Sequence, residues 1–133
     1  MFHLRKKYAD EIVSHARAEA PNECCGILAG AKGKVVKIYP ATNAEHSPFR
    51  YNVAPEELLA IYQELEDKGW DLLGIYHSHT STGAYPSERD IKYAFWSDAR
   101  YFIVSLHDQV QPDLRVFRIA KGVVVEEELR IIE

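Results

Sequence analysis

Cysteine is scarce in this chain of 133 residues: there are two, Cys24 and Cys25, and they are adjacent. Neighbouring Cα atoms lie about 3.8 Å apart, short of the roughly 4.4–6.8 Å that an unstrained disulfide spans. The sequence therefore does not describe a disulfide-stapled scaffold. Its cysteine usage favours a reducing compartment, and we expect the protein to be cytoplasmic.

Long apolar runs and an excess of basic residues are also missing. No stretch approaches the ~18 apolar residues of a membrane span. The first residues carry charges with no apolar segment after them, unlike a signal peptide. Sixteen Lys and Arg stand against 20 Asp and Glu, for a net charge of −4. Because phosphate contacts need a basic face, we expect neither nucleic acid nor a membrane as partner.

The remaining composition is that of an ordinary globular protein, with 47% hydrophobic and 27% charged residues. The chain contains no internal repeat, low-complexity tract or linker. A chain of this length buries about two-thirds of its unfolded surface, which is enough for a core. We therefore expect one domain spanning residues 1–133.

The periodic segments predict an α/β fold. Leu4, Tyr8, Ile12 and Ala16 recur at helical spacing and predict a helix from about residue 4 to 20. Further helices are predicted over residues 54–68 and 87–97. Strands are predicted over residues 25–30, 34–39, 71–76, 101–106, 115–120 and 123–132. This alternation favours an α/β domain with a mixed β-sheet flanked by helices.

The stretch from His77 to Asp90 carries the most chemical information. His77 and His79 end a predicted strand, where residues i and i+2 share a face with Cα atoms ~6.5 Å apart. Both imidazoles can then reach one zinc ion at ~2.0–2.1 Å. Asp90, in the first turn of the next helix, can supply a third ligand when the intervening loop folds back. A fourth position stays open, as a catalytic zinc site requires.

Taken one at a time, these residues also fit ordinary structural roles. A lone pair of histidines two residues apart is common, and Ser87 with Asp90 fits plain helix capping. Glu23 on its own fits a solvated acid after a helix end. A Cys–His nucleophile built from Cys24 or Cys25 is conceivable, but it leaves Asp90 and Ser87 without a role.

Two segments in register carry a family resemblance. Residues 77–90 fit H-x-H-x(7)-S-x(2)-D, which resembles the metal-binding motif of the JAMM (MPN+) metallopeptidases. Residues 21–30, P-N-E-C-C-G-I-L-A-G, resemble the segment P-x-E-x-C-G-x-L-x-G of the short bacterial members. Looser matches include Asn43 and the Ser47-Pro48 pair, and the likeness covers about residues 5 to 120. One departure is Thr80, where the family usually has proline.

The resemblance implies a fold and a role for each matched residue. The implied fold is the MPN/JAMM fold, which is similar to that of cytidine deaminases. His77, His79 and Asp90 would hold Zn²⁺ as the cofactor. Glu23 would be the general base, and Ser87 would donate a hydrogen bond to the oxyanion.

The resemblance also implies a substrate, the C-terminal Gly-Gly tail of a ubiquitin-like sulfur-carrier protein. The enzyme would hydrolyse the peptide or isopeptide bond after that tail. With seven residues between His79 and Ser87, the chain has little room for the insertions that grasp linked ubiquitin chains.

Two other classes stand beside this one. The alternative function is a non-catalytic binding or scaffold module of the same fold. The presence of all five site residues argues against it: Glu23, His77, His79, Ser87 and Asp90. A zinc deaminase would need H-x-E followed by P-C-x-x-C, and the chain has no P-C-x-x-C. The sequence leaves the oligomeric state open.

Overall fold

The computed structural model describes residues 1–133 as eight strands and three helices. The elements are β1 (Phe2–Arg5), α1 (Lys6–Glu19), β2 (Cys25–Ala31), β3 (Lys34–Ala41), α2 (Pro55–Lys68), β4 (Asp71–His79), α3 (Glu88–Lys92), β5 (Arg100–Ser105), β6 (Asp113–Ala120), β7 (Val123–Glu127) and β8 (Leu129–Ile132). The main sheet has the order β3-β2-β4-β5-β6-β7, with β4 and β5 parallel and every other pair antiparallel. None of the helices has the length and apolar character needed to cross a membrane.

Helices cover both faces of the main sheet because successive residues of a strand point to opposite sides. Tyr76 and Phe102 face α1 and belong to one apolar cluster. Ile75 and Ile103 face the other way and pack with α2 and the residues around α3. Strands buried on both faces have near-continuous apolar sequences, as β4 and β5 do. The predicted mixed sheet flanked by helices is confirmed.

The chain begins with a strand, where the sequence predicted the start of the first helix. Leu4 lies in β1 opposite Ile131 of β8, and the two strands form a separate parallel pair. Helix α1 begins at Lys6. The residue pattern from Leu4 onward suits a helix, but the strand that pairs with β1 lies at the far end of the chain. Local periodicity carries no information about such a partner.

Helix α3 ends at Lys92, earlier than the predicted end near residue 97. Beyond it, the backbone N–H of Trp96 donates to the Tyr101 hydroxyl at 2.9 Å. The indole Nε1 of Trp96 donates to the Tyr62 hydroxyl at 3.0 Å. The Tyr101 hydroxyl thus takes the backbone N–H that a longer helix would pair with a carbonyl, and the bond to Tyr62 ties the indole to α2.

The register of β2 against β4 gathers the sequence motifs at one end of the sheet. Cys25 lies opposite His77, so Glu23 emerges where β4 ends. Ser78 joins the two segments at this point. Its Oγ accepts a hydrogen bond from the Cys24 N–H at 2.8 Å, and its N–H donates to the Cys24 carbonyl at 3.2 Å. The start of β2 is thereby fixed against the end of β4.

Gly26 lies in β2 where there is no room for a side chain, so its substitution tests how closely β2 packs against the Tyr76 ring. A Cβ at residue 26 would collide with the ring of Tyr76, which is fully buried and whose hydroxyl contacts His15 Nδ1 at 2.7 Å. We expect Gly26→Ala to lower the free energy of unfolding by about 2–3 kcal/mol in urea denaturation, as overpacking of a core does. Gly83→Ala is the control, since a Cβ there meets no atom within 4 Å. It should change stability by less than about 0.5 kcal/mol. Equal effects of the two substitutions would contradict the expectation.

Candidate metal centre

Three potential ligands converge at the end of β4. Asp90 Oδ2 lies 3.1 Å from His77 Nε2 and 3.0 Å from His79 Nε2. The two Nε2 atoms are 3.2 Å apart. Ligands around a tetrahedral zinc ion with bonds of ~2.0–2.1 Å are about 3.3 Å from one another, so these spacings suit a shared metal. Because two lone pairs at this distance repel, one of the nitrogens must carry a proton or both must share a metal ion.

The ring of His79 is fixed in the orientation that a metal ligand needs. Its Nδ1 lies 2.9 Å from the Gly83 carbonyl, and because a carbonyl only accepts, Nδ1 carries the proton. That tautomer leaves the lone pair on Nε2 free for a metal ion. Burial disfavours the imidazolium, but the hydrogen bonds to Asp90 and to the Gly83 carbonyl outweigh it and raise the pKa of His79.

Asp90 is both a helix cap and a candidate ligand. In a capping box, the Ser87 N–H donates to Asp90 Oδ2 at 2.9 Å, and the Asp90 N–H donates to Ser87 Oγ at 3.1 Å. Burial works against the charged form, yet the adjacent imidazoles of His77 and His79 hold the pKa of the Asp90 carboxyl well below its usual range. Ser87 Oγ only accepts in this box, so its hydroxyl proton remains available to a substrate. The capping and ligand interpretations of these residues are therefore compatible.

Glu23 lies buried at the same end of the sheet. Its side chain is 5% exposed, and its Oε1 has no hydrogen-bond partner. Burial raises the pKa of the Glu23 carboxyl to about 8, with His79 opposing the rise. A buried carboxyl without a partner is costly, and a pKa moved toward neutrality is frequent where protons are exchanged. Glu23 is thus not the solvated acid that its local sequence also allowed.

The two cysteines are buried and unpaired. Burial raises the pKa of the Cys24 thiol to about 12 and holds that of Cys25 well above its usual range. Since the thiolate is the nucleophilic form, both residues are poorly placed for a Cys–His mechanism. Their burial agrees with a packing role.

Asn43 is a loose family match for which the sequence motifs imply no role. Its buried amide makes four hydrogen bonds. Nδ2 donates to the carbonyls of Glu23 and Arg50, each at 3.0 Å. Oδ1 accepts from the N–H groups of Glu45 at 2.9 Å and Asn52 at 3.1 Å. This side chain fastens the loop of residues 43–53 to the segment that carries Glu23, a long-range role that no local pattern reveals.

That loop also brings Tyr51 onto His77, with the ring centroids 4.4 Å apart and the ring planes 19° from parallel. A cavity of about 330 Å³ opens beside it, bounded by Tyr51, Arg89, Asp90 and Trp96 among others. Its volume lies at the lower end of the range for ligand pockets. Tyr51 belongs to none of the sequence motifs, so the sequence alone does not predict this contact.

Comparisons with known proteins point to one family. The sequence model of the family described as prokaryotic homologs of the JAB domain matches residues 5–120. The CysO-cysteine peptidase of Mycobacterium tuberculosis is 41% identical over 132 residues, which cover 98% of this chain and 90% of that protein. The desampylase of Haloferax volcanii is 38% identical over 103 residues, which cover 72% of this chain and 74% of that protein.

Solved structures give the same fold. The solution structure of a Desulfitobacterium hafniense protein has a TM-score of 0.89 and 37% identity, covering 100% of this chain and 94% of that one. The crystal structure of a JAB1/MPN domain protein from Archaeoglobus fulgidus has a TM-score of 0.65 and 22% identity, covering both chains fully. At that identity the second likeness concerns the fold alone. The MPN/JAMM fold implied by the sequence motifs is confirmed.

The burial of Glu23 predicts a dependence of stability on pH. The pKa of Glu23 rises from 4.5 to about 8 on folding, so the folded state binds this proton more tightly. The resulting stabilisation is complete below about pH 4.5 and is lost as the pH rises toward 8. The parent should therefore lose stability between about pH 5 and pH 8.5, whereas Glu23→Gln, which has no carboxyl to titrate, should not. With a chelator present, the difference in unfolding free energy, variant minus parent, should be larger at pH 8.5 than at pH 5 by about 1–3 kcal/mol.

Denaturant titrations at the two pH values measure this change. Glu66→Gln, which alters an exposed carboxyl on α2, is the control and should show no such change. A difference between Glu23→Gln and the parent that does not change with pH would contradict the expectation.

Proposed function

The chain belongs to the family of prokaryotic homologs of the JAB domain, and from this premise we propose that it is a zinc-dependent metallopeptidase. The single observation that carries the proposal is the convergence of His77, His79 and Asp90 within 4.8 Å of one another. The buried Glu23 at the same end of the sheet supplies a carboxyl that is not part of this ligand set. The protein is thereby proposed to be a hydrolase of the JAMM type.

His77, His79 and Asp90 would hold the zinc ion. Two nitrogens and one carboxylate oxygen are ligands that zinc takes, and three protein ligands leave a position open for chemistry. Bound zinc supplies Lewis-acid chemistry, because it lowers the pKa of water to about 7 and polarises a carbonyl group. The Gly83 carbonyl helps by keeping the proton of His79 on Nδ1.

Glu23 is proposed to carry protons. As a base it takes the proton of the attacking water, and as an acid it passes that proton to the leaving amine. A pKa raised to about 8 supports this role, because both protonation states are then accessible near neutral pH. Since Glu23 lies outside the ligand set, its carboxyl is free to exchange the proton.

Ser87 is proposed to stabilise the negative charge that develops on the scissile carbonyl oxygen. Its oxygen is held by the Asp90 N–H at 3.1 Å, while its hydroxyl proton is free to donate. A donor fixed by the capping box needs little reorganisation during the reaction, which is the condition for effective oxyanion stabilisation.

The proposed substrate is the C-terminal Gly-Gly tail of a ubiquitin-like sulfur-carrier protein, cleaved at the amide bond that follows it. The relatives named CysO-cysteine peptidase and desampylase support a peptidase of this class. A Gly-Gly tail has no side chains, so it can enter a narrow groove and pair as an added strand.

We also propose that residues 1–133 act as a single domain in the cytoplasm. Strands β2 to β6 contribute residues to both apolar layers described above, and β7 adds Val124 to one of them. The two free cysteines, Cys24 and Cys25, support a reducing compartment.

Zinc content tests the ligand set. The parent protein, incubated with zinc and freed of excess, should hold about one zinc per chain by elemental analysis. His77→Ala and Asp90→Asn should lose it, because each removes a ligand. Glu23→Gln should retain it. A parent protein without zinc even after reconstitution would contradict the proposal and favour the non-catalytic binding module.

Turnover tests the roles of Glu23 and Ser87. The substrate is a Gly-Gly-tailed carrier protein extended by one cysteine, and mass spectrometry follows the loss of that residue. Zinc-loaded Glu23→Gln should be inactive, and Ser87→Ala should lower kcat by about 10²–10³-fold. Because Ser87→Ala also removes a helix cap worth about 1 kcal/mol, both variants are assayed well below their unfolding temperatures. Parental turnover by zinc-loaded Glu23→Gln would exclude Glu23 as the base.

A further inference from the structure

The two histidines of the candidate metal centre are held in different ways. The ring of His79 is fixed by its hydrogen bond to the Gly83 carbonyl. The Nδ1 atom of His77 is buried and has no hydrogen-bond partner. Metal-ligating histidines almost always use this second nitrogen to donate to a carboxylate, a carbonyl or water, which fixes the ring orientation. His77 lacks that restraint.

An aromatic ring lies against the face of the His77 imidazole. The Tyr51 ring is stacked on the His77 ring, with centroids 4.4 Å apart and planes 19° from parallel. The His77 side chain is 1% exposed, and the ring of His79 meets it edge-on at a centroid distance of 5.0 Å. Rotation of the imidazole about its Cβ–Cγ bond would drive an edge of the ring into the face of Tyr51. Stacking therefore limits the rotation that a hydrogen bond would otherwise prevent.

We propose that Tyr51 is a positioning residue for the metal centre, whose stacked ring keeps His77 Nε2 directed toward His79 and Asp90. The inference rests on the proposed zinc site and concerns the affinity and geometry of that site. Tyr51 touches neither the metal ion nor the reacting atoms in this role.

The position of Tyr51 is itself fixed from both sides in the chain. The carbonyl of Arg50 accepts from Asn43 Nδ2 at 3.0 Å, and the N–H of Asn52 donates to Asn43 Oδ1 at 3.1 Å. These groups belong to the residues immediately before and after Tyr51. Asn43 and Val53 also form an isolated antiparallel bridge that closes the loop. Because the backbone is hydrogen-bonded on both sides of Tyr51, the ring is held in place and can restrict the rotation of the His77 imidazole.

Substitution of Tyr51 with and without an aromatic ring tests the inference. Tyr51→Phe keeps the ring, and Tyr51→Leu removes it. Zinc affinity is measured by competition with a chromophoric chelator, and ligand geometry by the absorption spectrum of the Co²⁺-substituted protein. Tyr51→Leu should bind zinc about 10–100-fold more weakly and give an altered Co²⁺ spectrum, as the loss of an orienting partner does. Tyr51→Phe should retain the parental affinity and spectrum.

Two further variants separate this effect from a general loss of structure. Phe49→Leu changes an aromatic residue of the same loop that is 80% exposed, and it should leave zinc affinity unchanged. Tyr51→Met fills much of the same space without a ring. It replaces Tyr51→Leu should that variant fail to fold, and it should show the same weakening.

Parental zinc affinity and an unchanged Co²⁺ spectrum in the folded ring-less variant would overturn the role of Tyr51 while leaving the zinc site intact. An equal loss in Tyr51→Phe would also overturn it, because the ring would then not be the active feature. Failure of the parent protein to bind zinc would overturn the proposed function itself, and the parent measurement shows this separately.

Discussion

The register between β2 and β4 is the constraint on which the arrangement of the site depends. Because Cys25 pairs with His77, Glu23 emerges at the end of the sheet to which β4 delivers both histidines. Side chains alternate along a strand, so a slip of one residue in β4 would turn the histidines toward α1. The contacts of Ser78 with Cys24, together with the close packing of Gly26 against Tyr76, hold this register.

In the first turn of α3, the same carboxylate oxygen caps the helix and faces the two histidines. Asp90 Oδ2 accepts from the Ser87 N–H and also faces the Nε2 atoms of His77 and His79. The hydrogen bond from the Ser87 N–H thus fixes the carboxylate at the position of the proposed third ligand. For this reason a local pattern typical of ordinary capping is also a component of the candidate metal centre.

Buried polar atoms without partners occur at this end of the sheet, at Glu23 Oε1 and His77 Nδ1. Each would be stabilised by a partner that the fold does not supply, which is the kind of local inconsistency expected at a functional site. The loop held by Asn43 pairs neither atom, but it fixes the Glu23 backbone and places Tyr51 against His77. The site therefore depends on the hydrogen bonds of Asn43, which lies outside the motif of residues 77–90.

The sequence alone determined the helices and strands whose periodicity is strong, and the period of two that puts His77 and His79 on one face. It also determined the family, because two polar segments lie in register. The roles of the matched residues stay predictions. Only the tertiary structure decided the pairing of β1 with β8, the early end of α3 at Lys92, and the contacts of Asn43 and Tyr51. Those features join residues far apart in the chain, and local periodicity records which face a residue occupies but not which distant residue will meet it there.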